Sequence, residues 1–267
     1  MAKIAVIGAA GRMGRHLVTN ILKTPGMSLA GAMEHPASEF LGCDAASVAG
    51  LPPCGVKITA SLEEALRDAD AVIDFSTGTV MQNAEAAAEK GCMIVVGTTA
   101  LGPAAGELFA ALAARKQVKI VYASNYSVGM NLLFYLSKKV AGLLADYDAE
   151  IIEMHHNQKK DAPSGTAVTI AERICEARGL SYEKDVVHGR NGVVGARTKN
   201  EIGMHALRGG DVVGDHTVLF ATTGERFEMT HKASSRDTFA RGAIRAVAFL
   251  ETAKPGLYNM QDVLGLN

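Results

Sequence analysis

Along the first half of the chain, short runs of β-branched and aliphatic residues alternate with Ala-rich segments whose apolar positions recur at helical spacing. Lys3–Ile7 reads as a strand, Met13–Thr24 as a helix stopped by Pro25 and Gly26, and Met27–Met33 as a second strand. A stretch punctuated by Pro36, Gly42, Gly50, Pro52 and Pro53 predicts irregular structure. Val56–Thr59 is a short strand, and Ser61 followed by Glu64 has the capping-box pattern of a helix start. Ala71–Phe75, Cys92–Val96 and Val118–Tyr122 are continuous apolar runs, separated by helical segments over Val80–Lys90 and Pro103–Arg115. Unbroken apolar strands separated by helices predict an open parallel sheet, wound in βαβ units and covered on both faces.

Near residue 125 the rhythm changes. A helix is predicted over Asn131–Ala145, a strand over Asp148–His156, and a helix over Ser164–Arg178 behind a Pro/Ser/Gly turn. Residues 181–200 lack periodicity and are expected to form a loop. Ile202–Arg208, Asp215–Thr222 and Glu225–His231 are β-like runs joined by short Gly turns, which implies an antiparallel or mixed sheet and a second domain of different type. An Ala-rich helix from 234–237 to Glu251 is expected to pack back on the first domain, making that domain discontinuous. The expected division is 1–126 with 236–267 for a dinucleotide-binding domain, and 127–235 for the second.

Composition narrows the function classes. A chain of 267 residues with 48% hydrophobic content can bury a substantial core. Its 27 Lys and Arg against 28 Asp and Glu leave a net charge of −1, which predicts neither a nucleic-acid nor an anionic-membrane surface. No apolar run is long enough to span a bilayer, and Met1–Gly8 has none of the features of a signal peptide, so a cytoplasmic protein is expected. Cys43, Cys54, Cys92 and Cys175 never form a C-x-x-C pair; free thiols are expected, not a zinc site or a redox dithiol.

The first strand runs into Gly8-Ala9-Ala10-Gly11-Arg12-Met13-Gly14 and then a helix. This G-x-x-G-x-x-G spacing is a variant of the dinucleotide fingerprint, whose glycines allow a tight turn, backbone approach to a pyrophosphate and close helix–strand packing. The helix terminus adds N–H groups and a favourable dipole for phosphate. Glu34, twenty residues past Gly14 at the end of the second strand, is placed to accept hydrogen bonds from the adenosine ribose hydroxyls. His35 follows it where a 2′-phosphate would want an Arg fork, so NADH is expected to serve at least as well as NADPH. Gly97-Thr98-Thr99 and Ala123-Ser124-Asn125-Tyr126 end later strands of the same sheet, where small and hydroxylated residues can approach a nicotinamide and its ribose.

The densest polar patch is Glu150–Ala167. Along a strand, His155 and His156 point to opposite faces, so they share a site only if the strand ends or twists between them. Ser164 is a good N-cap, and the N–H groups of Gly165, Thr166 and Ala167 are expected to point outward as an anion site. Hydride delivery to an unsaturated anionic substrate needs a proton to follow, and His or Lys can supply it. A metal site is disfavoured, because adjacent strand histidines diverge and no third ligand has the spacing.

The string Glu153-Met154-His155-His156-Asn157-Gln158-Lys159-Lys160-Asp161-Ala162-Pro163-Ser164-Gly165-Thr166-Ala167 closely resembles the E-x-H-H-x-x-K-x-D-A-P-S-G-T-A signature of the 4-hydroxy-tetrahydrodipicolinate reductase (dihydrodipicolinate reductase) family. The similarity extends over nearly the whole chain, including Gly8–Gly14, both later turns, His205–Asp211, Val213–Thr217 and Thr230–Arg236. It implies an α/β fold: a Rossmann-like parallel-sheet dinucleotide domain plus a smaller α+β mixed-sheet domain for substrate binding and homotetramer assembly. It further implies NADH- or NADPH-dependent reduction of a cyclic pyridine dicarboxylate to tetrahydrodipicolinate, in the diaminopimelate route to lysine, with hydride arriving at ring C4. By the same resemblance His155 and Lys159 match the proton-transfer residues, while His156, Gly165 and Thr166 match substrate-binding positions. Gly8, Ala9, Ala10, Gly11, Arg12, Met13, Glu34, His35, Gly97, Thr98, Thr99, Ala123, Ser124, Asn125 and Tyr126 fall at cofactor positions. Many members carry Arg where this chain has His35, which leaves the cofactor preference open. Two other readings stay open from the residues alone. A semialdehyde dehydrogenase would want a nucleophilic cysteine in a polar motif, and an NADH-sensing module would leave the His/Lys cluster unexplained.

Overall fold

The computed structural model of the chain describes residues 1–99, 101–102 and 104–266. In chain order the elements are β1 Ala2–Ile7, α1 Arg12–Lys23, β2 Met27–Met33, α2 Ala45–Val48, β3 Ile58–Thr59, α3 Leu62–Ala65, β4 Ala71–Asp74 and α4 Val80–Glu89. They continue with β5 Met93–Val96, α5 Ala105–Lys116, β6 Lys119–Tyr122, α6 Val128–Leu143, β7 Asp148–His155, α7 Gly165–Arg178, α8 Tyr182–Asp185 and β8 Val186–His188. The last are β9 Ile202–Arg208, β10 Gly214–Thr222, β11 Glu225–Ala233, α9 Asp237–Thr252, β12 Gly256–Tyr258 and α10 Met260–Leu264. Two units emerge, one from 1–128 with 236–265 and the other from 129–235.

The first unit is built on a seven-stranded parallel sheet in the order β12-β6-β5-β4-β1-β2-β3. Its central strands are apolar on both faces because both are covered. One face carries α1 and α9, whose buried rows (Leu17, Val18 and Ile21; Ala240, Ala243, Ala246 and Val247) share a core with Ile4, Val6, Ile73, Val95 and Val121. The other carries α4 and α5, with Phe109 and Leu112 packed on Ala5, Val72, Ile94 and Ile120. The strand order reverses between β1 and β4, which opens a crevice at their carboxyl ends. Among the described residues, no helix is long and apolar enough to cross a membrane.

The second unit is a five-stranded mixed sheet, order β11-β10-β7-β9-β8. The run of consecutive strands read from the sequence is interrupted: β10 and β11 form a hairpin, but β7 lies between β9 and β10, parallel to the first and antiparallel to the second. The strand that carries the histidines is therefore central. Its period-two pattern buries Ala149, Ile151 and Glu153 toward one face. Helix α7 covers that face with Ala167, Ile170, Ala171, Ile174 and Cys175, joined by Met130, Leu133 and Phe134 of α6.

Several local expectations change. Residues 181–200 are not all loop, because they hold the one-turn helix α8 and the three-residue β8, which pairs into the sheet beside β9; elements this short carry no readable period. The strand β12 was unannounced for the same reason. Helix α6 begins at Val128, three residues before the predicted start. The predicted helix start at Pro103 lies outside the described residues. Only half of the predicted capping box forms: Ser61 accepts from the Glu64 N–H, while the Glu64 carboxylate accepts from Thr59 Oγ1 instead. The irregular segment 34–57 is held by Asp44, whose carboxylate caps α2 and also accepts from the Cys54 and Gly55 N–H groups.

Candidate functional site

In the first unit the glycine turn is shaped by what its residues lack. Gly8 has φ +80°, and its N–H and that of Ala9 both donate to Met33 O. A Cβ on Gly14 would lie 2.0 Å from Gly8 O, so the turn and the start of α1 can touch only through a bare Cα. The Gly11 N–H donates to Gly8 O and the Ala10 N–H to Glu34 Oε2. That leaves Arg12 and Met13 in the first turn of α1, where N–H groups have no acceptor within the helix, as the donors best placed for a phosphate.

Glu34 lines the crevice beside this turn, which has a volume of about 710 Å³ and is walled by Gly8, Gly11, His35, Phe75, Ser76 and Asn83 among others. One Glu34 oxygen accepts from Ala10 N–H and the other from His35 N–H, so it ties the glycine turn to the end of β2. His35 is exposed, and its Nδ1 accepts from Ala37 N–H, which leaves that nitrogen without a proton. The opposite wall was not singled out in the sequence. Asp74 is buried and accepts from Ser76 N–H and from Asn83 Nδ2, while Thr98 Oγ1 donates to Ser76 O. Burial pushes the Asp74 carboxyl up against those two bonds. Its signal was present as an Asp ending an otherwise apolar strand.

The two later turns end β5 and β6 at the same edge of the sheet. Gly97 is buried against Phe75, whose Cζ would be 2.1 Å from a Cβ at that position; Thr98 is buried and Thr99 exposed. In 123–126, Ser124 is exposed and Asn125 Oδ1 accepts from Ser127 N–H. Tyr126 differs from its neighbours. Its side chain lies in the core with the hydroxyl against Val96 O and Val121 O, and burial drives its ionisation well up. Its carbonyl packs on Gly242, where a Cβ would lie 1.7 Å from it, so the residue as a whole is enclosed.

In the second unit, β7 ends at His155, so the divergence expected of adjacent strand residues does not apply to His156. His156 begins a loop pinned by its N–H to Val212 O, by Asn157 N–H to Gly210 O, and by Lys159 N–H to His156 O. His155 Nδ1 lies 2.6 Å from Glu153 Oε2. Its ring meets that of His216 edge-on, with centroids 5.2 Å apart. His216 is buried, and its Nε2 pairs with Ser164 Oγ at 3.1 Å. Burial foremost, then the charge of His155, and with it that of Lys159, pushes His216 down to about 3, so it is a neutral partner for the serine. Lys159 Nζ contacts both Asp161 oxygens at 2.8 and 2.9 Å, and that bond holds the Asp161 carboxyl low.

Ser164 caps α7 as predicted, but one consequence was drawn too broadly. The Ala167 N–H does not point outward, because it donates to Ser164 Oγ. Gly165, exposed, and Thr166, half-buried, are the first-turn residues at the tip. Among the described residues, no group of three or more His, Cys, Asp and Glu side chains could hold a metal ion. Cys92 and Cys175 are buried, and burial pushes Cys175 up to about 11, which suits neither to be a nucleophile.

Comparison with known proteins covers both units. The family described as "Dihydrodipicolinate reductase, N-terminus" matches residues 2–126 and "Dihydrodipicolinate reductase, C-terminus" matches residues 129–264. The chain is 49% identical to the 4-hydroxy-tetrahydrodipicolinate reductase of Syntrophotalea carbinolica and 48% identical to that of Geobacter metallireducens, in each case over the full length of both chains. A dipicolinate-bound dihydrodipicolinate reductase from Paenisporosarcina sp. has a similar structure, with a TM-score of 0.78, 25% identity and 98% of each chain covered.

Proposed function

The chain belongs to the dihydrodipicolinate reductase family, and from that premise we propose that it reduces its substrate with His155 and Lys159 as the groups that handle protons. It is an NAD(P)H-dependent oxidoreductase that converts 4-hydroxy-tetrahydrodipicolinate to tetrahydrodipicolinate on the diaminopimelate route to lysine. The glycine turn fits the cofactor: with no Cβ at Gly14 the turn closes on the start of α1, whose first-turn N–H groups have no acceptor within the helix. When bound, NADH or NADPH supplies a hydride, which reaches ring C4 of the substrate.

The first unit holds the cofactor through Gly8, Ala9, Ala10, Gly11, Arg12 and Met13, through Glu34 and His35, through Gly97, Thr98 and Thr99, and through Ala123, Ser124 and Asn125, with the enclosed Tyr126 supporting that turn from the core. The second unit, 127–235, binds substrate. His156, Gly165 and Thr166 hold its carboxylates, the helix tip serving as an anion site that needs no side-chain charge. Once the 4-hydroxyl has left as water the ring is conjugated, and a hydride added at C4 would push an electron pair along it. A proton from His155 or Lys159 then quenches it, and an ammonium or imidazolium nearby stabilises the charge as it develops. The observation that carries this reading is the end of β7 at His155, which presents the imidazole beside Glu153, His216 and the cap of α7.

NADH serves at least as well as NADPH, because His35 offers no fork for a 2′-phosphate and its Nδ1 is already an acceptor. The assembly is a homotetramer, supported by the second face of the five-stranded sheet, on which Ile152 and Leu207 are exposed. The test is a coupled assay with enzymatically made substrate, following loss of NADH or NADPH absorbance. Turnover with a kcat/KM for NADH at or above that for NADPH supports the reading; no oxidation of either cofactor on adding substrate sinks it. Light scattering of the purified chain decides the tetramer.

A further inference from the structure

We infer that Glu153 is a positioning residue for this reaction: through one carboxylate it dictates which ring nitrogen of His155 carries a proton and anchors Ser164, the N-cap of the substrate-binding helix. The inference rests on the reading of His155 as a proton-delivering group.

Glu153 continues the buried row of β7, two residues beyond Ile151 and two before His155, so strand geometry places Glu153 and His155 on one face. It is wholly inaccessible, yet every acceptor position is filled. Oε1 accepts from Ser164 N–H at 3.0 Å and from Arg208 Nη2 at 2.9 Å. Oε2 accepts from Arg208 Nη1 at 2.9 Å and from His155 Nδ1 at 2.6 Å. Burial would raise this carboxyl, but the bonds from His155, Arg208 and Ser164 outweigh it and bring it down to about 2. It is therefore a fixed anion across the working range.

A carboxylate in that state can only accept, so His155 Nδ1 must bear hydrogen in both its neutral and its cationic form. Proton traffic is thereby confined to Nε2. That nitrogen faces Gly214, where a Cβ would come within 3.1 Å of it, so the bare Cα keeps the space beside it open. The charged and titratable groups around the pair are Arg208 on β9, His216 on β10, His231 on β11, and Lys159 with Asp161 in the loop. Arg208 is further held by Asp161 O and Leu207 O, so its cation is already oriented without His155.

The substitution Glu153→Gln separates this role from a structural one. The Gln carbonyl can keep Ser164 and one arm of Arg208, but its amide presents hydrogens to His155 Nδ1 and forces the opposite tautomer. In the full-length enzyme we expect kcat to fall about tenfold or more, KM for NADH to stay within about twofold, and the alkaline limb of the kcat profile to differ from the native one. Glu153→Asp should recover part of that limb. Nitrogen NMR of the histidines should show His155 protonated at Nδ1 in the native protein and at Nε2 in Glu153→Gln, a readout independent of turnover. A folded Glu153→Gln enzyme with the native pH profile, or a native His155 carrying its proton on Nε2, overturns the inference. Should Glu153→Gln fail to fold, the native tautomer and the Glu153→Asp profile still decide it. His155→Ala keeps the two readings apart. Native turnover in that variant removes the role of His155 itself; loss of turnover there with a native Glu153→Gln removes only the role of Glu153.

Discussion

The two units differ in what the proposed function asks of them. In the glycine turn the atoms proposed to bind are main-chain N–H groups, and the residues that matter are those whose side chains are missing: Gly8, Gly14 and Gly97 each stand where another atom occupies the Cβ space or where φ is positive. In the second unit the groups proposed to handle protons are at the ends of side chains, with the tip of α7 beside them as a main-chain site, and what matters is a buried carboxylate that holds the two together. Glu153 joins His155, Arg208 and Ser164 across three elements. A backbone site fails when something is added, and a side-chain site fails when something is taken away.

The largest effect should come from taking away. His155→Ala and Lys159→Ala are each expected to lower kcat by roughly 10²–10⁴-fold, the range for loss of a general acid or base. The dissociation constant for NADH, measured by fluorescence titration, should change little. Near-native turnover in either variant would assign the proton to another group. Adding a single methyl should break the other unit: Gly14→Ala puts a carbon 2.0 Å from Gly8 O and 2.6 Å from Ala9 O, both backbone atoms that cannot step aside cheaply. Affinity for NADH should drop by about 100-fold with the second unit intact by hydrogen exchange, a loss of roughly 2.7 kcal/mol of binding. Unchanged affinity would mean that the turn does not hold the cofactor.

Acid should separate the units more gently. His216 is lowered to about 3, so the proton it would take in the unfolded chain near its ordinary 6.5 is refused in the fold; its contribution is intact above that value and is lost as pH falls toward 3. Glu153, lowered to about 2, adds stability above its ordinary 4.5 that is lost as pH falls toward 2. Both belong to the second unit. The buried carboxyl of the first, Asp74, is raised, so protonation relieves it and acid takes nothing from that unit through this group. Hydrogen exchange measured from pH 7 to pH 4 should show β7 and α7 losing protection before β1 and β4. The reverse order would place the acid-sensitive groups elsewhere.

The same contrast explains what could be read from the amino acids alone. The parallel sheet was legible because Ala71–Phe75 and Cys92–Val96 are apolar throughout, and the glycine turn because its spacing fits a single local geometry. The family followed from the long polar string at 153–167, whose residues are contiguous. Glu153 stood in that string, yet its part could not be read, since its partners Arg208 and Ser164 approach through a sheet order in which β7 separates β9 from β10. The burial of Tyr126 under Val96 and Val121 is likewise a tertiary fact. One local signal was available and missed: a period of two puts Glu153 on the same face as His155.

The smallest effect tests whether the helix tip of the second unit behaves like the backbone cradle of the first. Gly165 opens α7, and a Cβ built there meets nothing within 4 Å, unlike the one at Gly14. Alanine also suits a helix better than glycine, by about 1 kcal/mol in a helix interior and less at an exposed first turn. Gly165→Ala should therefore leave stability unchanged or slightly raised and kcat/KM within about threefold of native, because a main-chain N–H survives the substitution. A drop far beyond that, with the fold intact, would mean that the substrate carboxylate packs against the Gly165 Cα itself. The tip would then share the rule of the glycine turn, failing by addition, and the line between the two kinds of site would run through the second unit rather than between the units.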